Sequence, residues 1–409
     1  MKKIIVLIVM LCSLALTAQA GLRLELHRTN TRTLLGIERL HEPEVAALLQ
    51  GKRVGVFTNQ SGVDSSLRGS VDLLRAAFNV TAILVPEHGL FGAVPAGENF
   101  TDTSYEGIKV FCTYNGSHRP SREMLELLDV VAVDIQDVGT RHYTYTSSLA
   151  YLMEECAKYG KEVIVFDRPN PLGGAMQGPV LKPAYKSFIG LYEVPLRHGL
   201  TLGEFARYIN HEEKINCHLH VVPMKKWQRR MLWQDTGLPW VQTSPLIPTA
   251  ETALLYGATG ITGDTALSVG VGTAKPFYFV GAPFADSGRV TEALRNLKLP
   301  GVFFRRAAFT PRYGAYKDEL VQGAEIYLAD PRHVNLPELD FLIVHTLRAL
   351  YPEDMGNLPK RYDGSMNKVD IALGEDSMSR NEEPQRLFPR WREECAAFSE
   401  KVKPYLLYK

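Results

Sequence analysis

Between residues 52 and 222, short runs of consecutive apolar residues alternate with longer stretches in which apolar residues recur with a helical period. The runs that indicate strands are Arg53–Phe57, Val80–Val85, Ile108–Cys112, Val130–Val133, Val163–Phe166 and His218–Val222. The stretches that indicate helices are Val71–Phe78, Ser121–Leu128, Tyr145–Tyr159 and Leu202–Ile209. Continuous apolar strands separated by helices are typical of a parallel sheet covered on both faces. We therefore predict a doubly wound, Rossmann-like α/β domain, whose strand order the pattern does not reveal.

The pattern changes beyond Val222, where Trp227, Trp233 and Trp240 cluster near Pro239 and Pro245 and indicate a linking segment that ends near residue 245. Three β-rich runs, one helix and a helical tail follow it: Pro276–Val280, Val302–Phe304, Ala324–Leu328, Leu339–Tyr351 and Arg386–Tyr408. We expect Pro389 and Pro404 to lie near the ends of the tail helix, because proline disrupts a helix interior. We predict a Rossmann-like catalytic domain at 21–245 and a smaller α/β (α+β) auxiliary domain at 246–409.

Polar turns follow four of the predicted strands. They are Thr58-Asn59-Gln60, Pro86-Glu87-His88-Gly89, Asp134-Ile135-Gln136-Asp137 and Asp167-Arg168-Pro169-Asn170-Pro171. In open parallel sheets the ligand crevice lies at the carboxyl ends of the strands, so we expect these turns to converge on one site. None of them contains a dinucleotide-binding glycine motif or a P-loop. The turns therefore do not indicate a nucleotide ligand.

The composition indicates a globular protein without a nucleic-acid surface. Of 409 residues 45% are hydrophobic and 22% charged, and 46 Lys and Arg balance 45 Asp and Glu. This balance gives no basic footprint for nucleic acid or for a membrane surface. The basic Lys2-Lys3, the apolar run Ile4–Leu16 and Ala18-Gln19-Ala20 fit a secretory signal peptide at 1–20, so we predict export to the periplasm or medium. The apolar run is too short to span a membrane, and we expect no stable membrane insertion.

Four cysteines remain after removal of the leader: Cys112, Cys156, Cys217 and Cys395. An exported protein can form disulfides, and four cysteines allow three pairings. Buried thiols are the alternative, and the spacing does not choose between them.

Three carboxylates are candidates for acid–base chemistry. Glu87 and Glu98 flank a long glycine-rich loop, and a strand-end glutamate sheltered by Leu90 and Phe91 suits a general acid. Asp137 lies three residues after Asp134, and paired carboxylates serve glycosidic-bond cleavage, metal binding or ion pairing with an arginine. For the two glutamates, the alternative is a turn or helix cap.

Further polar residues of these turns are candidates for substrate binding. They are Asn59, His88, Asp134, Arg141, Tyr143, Asp167, Arg168, Asn170, Arg197 and His198. An arginine can clamp an anionic group with two hydrogen bonds, and a histidine can donate or carry a proton. Thr201 and Glu204 form a capping-box pattern and are expected to be structural. No zinc, calcium or other metal-ligand spacing is present, so we expect no metal and no other cofactor.

Read together and in this order, these motifs resemble the DUF1343 family of secreted bacterial proteins, which includes exo-β-N-acetylmuramidases. The matching stretches include 54–62, 86–92, 96–98, 134–145, 167–174 and 197–201, and the likeness extends from about residue 35 to the C-terminus. The resemblance implies a Rossmann-like catalytic domain, a smaller C-terminal domain and an active site between them. It also implies Glu87 as the catalytic residue, with Glu98 as a second candidate.

The chain departs from the family pattern at three positions in the C-terminal half. Ala266, Val271 and Leu246 stand where the family usually has Asn, Arg and Asn. Our leading hypothesis is an exported, exo-acting glycoside hydrolase that releases N-acetylmuramic acid, or a related amino sugar, from the non-reducing end of peptidoglycan fragments. The alternatives are a non-catalytic periplasmic sugar-binding protein and a metal-assisted hydrolase. The sequence leaves the oligomeric state open.

Overall fold

The computed structural model describes residues 32–95, 97–98, 101–361 and 364–409, so the predicted signal peptide lies outside the described residues. The strands are β1 (Arg53–Thr58), β2 (Asn79–Val85), β3 (Thr103–Tyr105), β4 (Ile108–Cys112), β5 (Val130–Asp134), β6 (Glu162–Phe166), β7 (Gln177–Val180), β8 (Pro195–Arg197), β9 (His218–Val222), β10 (Phe279–Ala282), β11 (Val302–Phe309) and β12 (Val321–Leu328). The α-helices are α1 (Pro43–Ala46), α2 (Ser70–Arg75), α3 (Arg122–Glu126), α4 (Tyr145–Lys158), α5 (Leu202–Glu212), α6 (Ala250–Thr259), α7 (Ser287–Arg295), α8 (Leu336–Leu350), α9 (Pro352–Met355), α10 (Lys368–Leu373) and α11 (Pro384–Val402). Short 3₁₀ turns lie at Gly36–Arg39, Pro183–Tyr185, Trp233–Asp235, Thr262–Asp264 and Lys403–Tyr405.

The central sheet has seven strands in the order β3-β4-β2-β1-β5-β6-β9. All neighbours pair in parallel except β3, which runs antiparallel to β4. Numbered along the chain, the six parallel strands have the order 3-2-1-4-5-6, which is the order of the doubly wound Rossmann fold. The predicted fold class is confirmed, and the strand order reverses between β1 and β5.

Apolar side chains cover both faces of this sheet. On β5, Val130 and Ala132 belong to one buried cluster, whereas Val131 and Val133 belong to a second cluster on the opposite face. This alternation follows from the two-residue period of a strand. The second cluster continues into the C-terminal half through Val280 of β10, so one core joins the two halves of the chain.

The C-terminal half contains an antiparallel three-stranded sheet, in the order β10-β12-β11, with α7 packed against it. The final helix α11 packs back on β7 in the first half. It begins at Pro384, so Pro389 lies inside the helix and not near its end, contrary to the sequence prediction. The early start has a physical reason, because proline is well tolerated in the first turn of a helix. The predicted limits 21–245 and 246–409 stay predictions.

The cysteines of the described chain are buried thiols. The thiol of Cys112 donates to the carbonyl of Tyr114, and Cys156, Cys217 and Cys395 are unbridged. The disulfide alternative is therefore not observed. Among the described helices, none is long and apolar enough to cross a membrane.

Candidate active site

The turns that follow β1 and β5 meet at the point where the strand order reverses. The hydroxyl of Thr58 donates to the carbonyl of Asp134 (2.7 Å), and the backbone amide of Gln136 donates to the hydroxyl of Ser61 (3.0 Å). Arg168, from the turn after β6, donates to the carbonyl of Ser61 (3.0 Å). Three of the four polar turns thus contact one another, at the place where this fold binds ligands.

A cavity of about 140 Å³ is lined by the turn that follows β2 and by the residues that precede α4. The first half contributes Glu87, His88, His142, Tyr143 and Thr144 to its wall. The second part of the wall is formed by Ser244, Pro245, Leu246, Ile247, Tyr256 of α6 and Phe277. The cavity is therefore built from both halves of the chain, as the family resemblance implies. Three of the predicted site residues line it: Glu87, His88 and Tyr143.

Glu87 presents a half-buried carboxyl group on the cavity wall. One oxygen accepts a hydrogen bond from the backbone amide of Gly97 (2.9 Å), and the other accepts from the hydroxyl of Thr144 (3.0 Å). Burial and the nearby Glu87 carboxylate raise the pKa of Tyr114 to about 12, so this tyrosine keeps its proton at neutral pH. The expected shelter by Phe91 is wrong, because Phe91 is 67% exposed.

The loop at 86–98 holds a backbone shape that few residues adopt. His88 has a φ of 77° and Gly92 a φ of 67°, both in the left-handed region. The ring Nδ1 of His88 lies 2.8 Å from the carbonyl oxygen of Val94, which fixes the imidazole against its own loop. A Cβ atom on Gly92 would lie 2.4 Å from Nε2 of Gln60. That amide in turn donates to the carbonyl of Gln242 (3.0 Å), so Gln60 ties the loop to the second half of the chain.

Aromatic side chains line the cavity and pack against its wall. Tyr143 packs edge-on against Tyr145 at 4.7 Å, and Tyr256 packs edge-on against Phe277 at 4.9 Å. The Tyr145 hydroxyl donates to the carbonyl of Thr243 (2.7 Å) and accepts from the side-chain amide of Asn59 (2.7 Å). Asn59 therefore supports the aromatic layer. Its predicted contact with substrate stays a prediction.

His142 lines the cavity, although it is not among the site residues predicted from the sequence. Its ring packs on Tyr256 at 4.5 Å, and both ring nitrogens are buried with no hydrogen-bond partner among the described residues. A Cβ on Gly260 would lie 2.6 Å from its Nε2, so the ring fits only beside a glycine. Burial, and then the charge of Arg141, lower the pKa of His142 to about 3. The imidazole is therefore neutral at neutral pH, with one donor and one acceptor available.

Asp137 and His198 form a buried pair. One oxygen of Asp137 accepts from the backbone amide of Gly139 (2.6 Å) and lies 3.5 Å from Nε2 of His198. The other oxygen is buried with no partner among the described residues. Nδ1 of His198 accepts from the backbone amide of Leu200 (3.1 Å), so in the neutral ring the proton resides on Nε2 and points toward Asp137. The pair leaves one buried oxygen of Asp137 without a protein partner, and neither residue lines the cavity in the described structure.

Asp134 and Asp167 bond to protein groups beneath the site. Asp134 accepts from Arg168 (3.2 Å), and burial, opposed by that arginine, raises the pKa of Asp134 to about 6. Asp167 accepts from the hydroxyls of Thr201 (2.7 Å) and Tyr408 (2.5 Å). Burial, opposed by these bonds, raises the pKa of Asp167 to about 7. These contacts show a structural role for both carboxylates, and their assignment as substrate ligands stays a prediction.

The predicted arginine clamps bind backbone carbonyls in the structure. Arg141 donates to Pro179 (2.9 Å) and Val194 (2.7 Å) and reaches Leu373 of α10. Arg197 donates to the carbonyl of Leu172 and also to the side-chain oxygen of Gln177 (2.9 Å). Arg168 also donates to the carbonyl of Val63 (2.9 Å), and Asn170 donates to that of Leu200 (2.9 Å). These four side chains hold loops together, and they are not part of the cavity wall within the described chain.

The remaining predicted positions lie apart from the cavity or behave as expected. Glu98 is exposed and does not line the cavity in the described structure. Thr201 caps α5, accepting from the amide of Glu204 (3.2 Å), so the predicted capping box is confirmed.

Among the three departures from the family pattern, Leu246 lies on the cavity wall, whereas Val271 packs near Gly314. Ala266 accepts a hydrogen bond from the Tyr316 hydroxyl through its carbonyl.

A metal-ligand cluster lies away from the cavity. The acidic and imidazole groups of the four turns do not form a three-ligand group within the described ranges, whereas Glu162, His218 and His220 do. Glu162 begins β6, so this group lies at the amino ends of the parallel strands. The cavity lies at their carboxyl ends. Its wall therefore offers no preformed metal site among the residues described.

Comparisons with known proteins identify the family. The N-terminal family model of the exo-β-N-acetylmuramidase NamZ matches residues 54–251, and its C-terminal model matches residues 254–408. The chain belongs to the NamZ family. It is 40% identical over 376 residues to the peptidoglycan β-N-acetylmuramidase NamZ of Bacillus subtilis strain 168, covering 90% of this chain and 89% of the relative.

Two solved structures of DUF1343 family proteins from Bacteroides fragilis NCTC 9343 share the architecture. The first superposes with a TM-score of 0.84 at 36% identity and covers 93% of this chain and all of the other. The second has a TM-score of 0.72 at 27% identity and covers 92% and 99%. Membership of the NamZ family makes this chain a glycoside hydrolase, so the alternative of a non-catalytic sugar receptor is set aside.

Proposed function

We propose that this NamZ family enzyme is exported and removes N-acetylmuramic acid from the non-reducing end of peptidoglycan fragments. The observation that carries the proposal is the carboxyl group of Glu87 on the wall of a cavity at the carboxyl ends of the parallel strands. Tyr143, Tyr256 and Phe277 contribute aromatic rings to the same wall. The matching family models are those of an exo-β-N-acetylmuramidase, which supports removal of one terminal sugar at a time.

Glu87 is proposed as the general acid that protonates the leaving glycosidic oxygen. A carboxyl group in this role must exist in both protonation states during the cycle. The Thr144 hydroxyl can donate to the carboxylate and can rotate to accept from the protonated acid, so it supports both states. The amide of Gly97 fixes the other oxygen and thereby the direction in which the acidic proton points.

Asp137 is proposed as the second carboxylate of the reaction. Glycosidases use a second acidic group to attack the sugar or to activate water. Asp137 is held by the amide of Gly139 and keeps one oxygen unpartnered, whereas Glu98 is exposed to solvent. The variants Asp137→Asn and Glu98→Gln distinguish the two candidates, since loss of the working group lowers kcat and loss of the other does not.

The acetamido group of the sugar is proposed to lie against His142. The neutral imidazole offers a donor and an acceptor that have no protein partner, and these match the carbonyl and N–H of an amide. Tyr256 and Phe277 supply an apolar surface for the acetyl methyl group. A buried polar group that finds its partner only in substrate favours binding of that substrate over analogues that lack the amide.

The lactyl carboxylate of muramic acid meets no arginine or lysine on the described cavity wall. The imidazole of His88 is the wall group that can carry a positive charge near it. Selection for muramic acid over N-acetylglucosamine therefore depends on His88 or on groups outside the cavity. Comparing the two sugars as nitrophenyl glycosides measures this selection, and replacing His88 by Gln lowers it if the imidazole carries the charge.

Export rests on the leader-like segment at residues 1–20 and on the substrate, because peptidoglycan lies outside the cytoplasmic membrane. Fractionation of cells that express the full chain tests this part of the proposal. Recovery of a shortened chain in the periplasm or medium supports export, and a full-length chain in the cytoplasm contradicts it.

Digestion of defined peptidoglycan oligomers tests the exo mode. The enzyme is expected to release free N-acetylmuramic acid from chains with that sugar at the non-reducing end. Chains capped there by N-acetylglucosamine are the control and should stay intact. Internal fragments from either substrate would show endo cleavage and contradict the proposal.

A further inference from the structure

Two histidines and a glutamate face one another across the edge of the sheet. His218 and His220 lie two residues apart on edge strand β9, so both side chains project from the same face. Their neighbour β6 pairs in parallel, with Glu162 opposite His218 and Ile164 opposite His220. The strand register therefore gathers the three side chains on one face at one end of the sheet.

The distances between the ligand atoms suit a small metal ion. Oε2 of Glu162 lies 3.7 Å from Nδ1 of His218 and 3.7 Å from Nε2 of His220. All three ligand atoms lie within 4.8 Å of one another. Tetrahedral zinc with bonds of about 2.1 Å separates its ligand atoms by about 3.4 Å. Small rotations of the exposed His218 ring and the half-buried His220 ring would close the remaining gap.

The protein leaves these ligand atoms available. Within the described chain, neither imidazole makes a hydrogen bond, and their ring centroids lie 4.9 Å apart. The ammonium group of Lys52 donates a hydrogen bond to Oε1 of Glu162 (2.7 Å), and Oε2 faces the histidines. The carboxylate is thus fixed by a lysine on one oxygen and open on the other.

We propose that Glu162, His218 and His220 form a binding site for one divalent cation of the zinc class. Imidazole nitrogens together with one carboxylate favour Zn²⁺, Ni²⁺ or Cu²⁺ over Mg²⁺ and Ca²⁺, which prefer oxygen ligands. The protein supplies three ligands, and water completes the coordination.

The position of the site assigns it a structural role. It lies at the amino ends of the parallel strands, opposite the cavity that contains Glu87. A bound cation would join edge strand β9 to its neighbour β6. A ligand that binds only the folded state stabilises it in proportion to the logarithm of its concentration. We therefore expect zinc to raise Tm without changing glycoside hydrolysis.

Titration calorimetry with ZnCl₂ tests the site on untagged protein that has been freed of metal by chelator. One ion per chain is the expected stoichiometry, and His218→Gln and His220→Gln should each weaken binding by at least about tenfold, because each removes a ligand. Glu162→Gln should weaken it as well. Lys52→Gln should tighten binding, since it removes a positive charge beside the cation.

His333→Gln is the matched control, because His333 is an exposed histidine paired with one carboxylate, Asp330, at 2.7 Å. It should leave zinc affinity unchanged. Co²⁺ in place of zinc should give visible absorption bands that disappear in His220→Gln. The proposal is wrong if wild-type protein shows no saturable zinc binding, or if binding survives loss of both His218 and His220.

Discussion

The buried imidazole of His142 imposes a cost on the fold that can be estimated from the structure. Both ring nitrogens are buried without a partner in the described chain, and an unsatisfied buried polar group costs about 1–3 kcal/mol. Phenylalanine keeps an aromatic ring beside Tyr256 and removes both nitrogens. We expect His142→Phe to raise the free energy of unfolding by about 1–3 kcal/mol. We expect the same substitution to lower kcat/KM on nitrophenyl N-acetylmuramide by roughly 5- to 150-fold, because the amide of the substrate loses its hydrogen-bond partner, the imidazole.

Urea unfolding and nitrophenyl muramide kinetics measure the two effects on the same preparations. His345→Phe is the control: that imidazole has a partner, the side-chain oxygen of Asn381 at 3.0 Å, and lies outside the cavity wall. It should lose stability and keep its activity. A His142→Phe variant that is no more stable than wild type and turns over the muramide at the wild-type rate would refute the assignment of the ring to substrate.

Three further substitutions test the framework around the site. Gly92→Ala should lower kcat at least about tenfold with the fold retained, because the φ of Gly92 is 67° and the new Cβ would meet the Gln60 amide. Circular dichroism checks the fold and kinetics check kcat. Full activity would contradict this prediction. Thr201→Ala should lower the free energy of unfolding by about 1–3 kcal/mol, since it removes the cap of α5 and the hydrogen bond to Asp167. Urea unfolding measures this change, and an unchanged midpoint would contradict the prediction. In the folded state burial raises the pKa of Asp134 from 3.8 to about 6, so folding favours the protonated carboxyl. The stabilisation from this group is fully present below pH 3.8 and is lost as the pH rises through about 6. The stability of wild type relative to Asp134→Asn should therefore fall between pH 4 and pH 7 in urea titrations, and a difference that is flat or rises with pH would be contrary to this prediction.

The sequence was sufficient to predict the parallel sheet because its strands are buried on both faces and hence continuously apolar. Val130–Asp134 is buried at every position and stands out on hydrophobicity alone. Thr103–Tyr105 is largely exposed and antiparallel, and no apolar run indicates it. The order of the strands depends on long-range pairing, such as that of β1 with β5, which no local pattern contains.

Part of the site could be predicted in the same way, because position at a strand end is a local property. Glu87 and His88 lie in the turn that follows β2, and both line the cavity. Tyr256 and Phe277 reach the same wall from more than a hundred residues away, so only the fold brings them there. His142 stands between two residues that were selected as site candidates, and its neutral, unpartnered state becomes evident only from its burial.

The arginines show where residue type alone misleads. A guanidinium can clamp a ligand carboxylate or several backbone carbonyls, and the two uses look identical in a sequence. Arg141 is 2% exposed and contacts Pro179 of β7 and Val194, which are 38 and 53 residues distant, together with α10. Burial decides between the two uses, and burial depends on packing that the sequence pattern does not show.

The central claim is that Glu87 supplies the catalytic proton, and the kcat of Glu87→Gln on nitrophenyl β-N-acetylmuramide tests it most directly. The substitution keeps the shape of the side chain and removes the proton. The expected result is a fall in kcat of roughly 10²–10⁴-fold, with the affinity for N-acetylmuramic acid retained. Glu98→Gln, at an exposed position of the same loop, is the matched control and should stay near the wild-type rate. Near-wild-type turnover by Glu87→Gln, in a folded protein that still binds the sugar, would contradict the account.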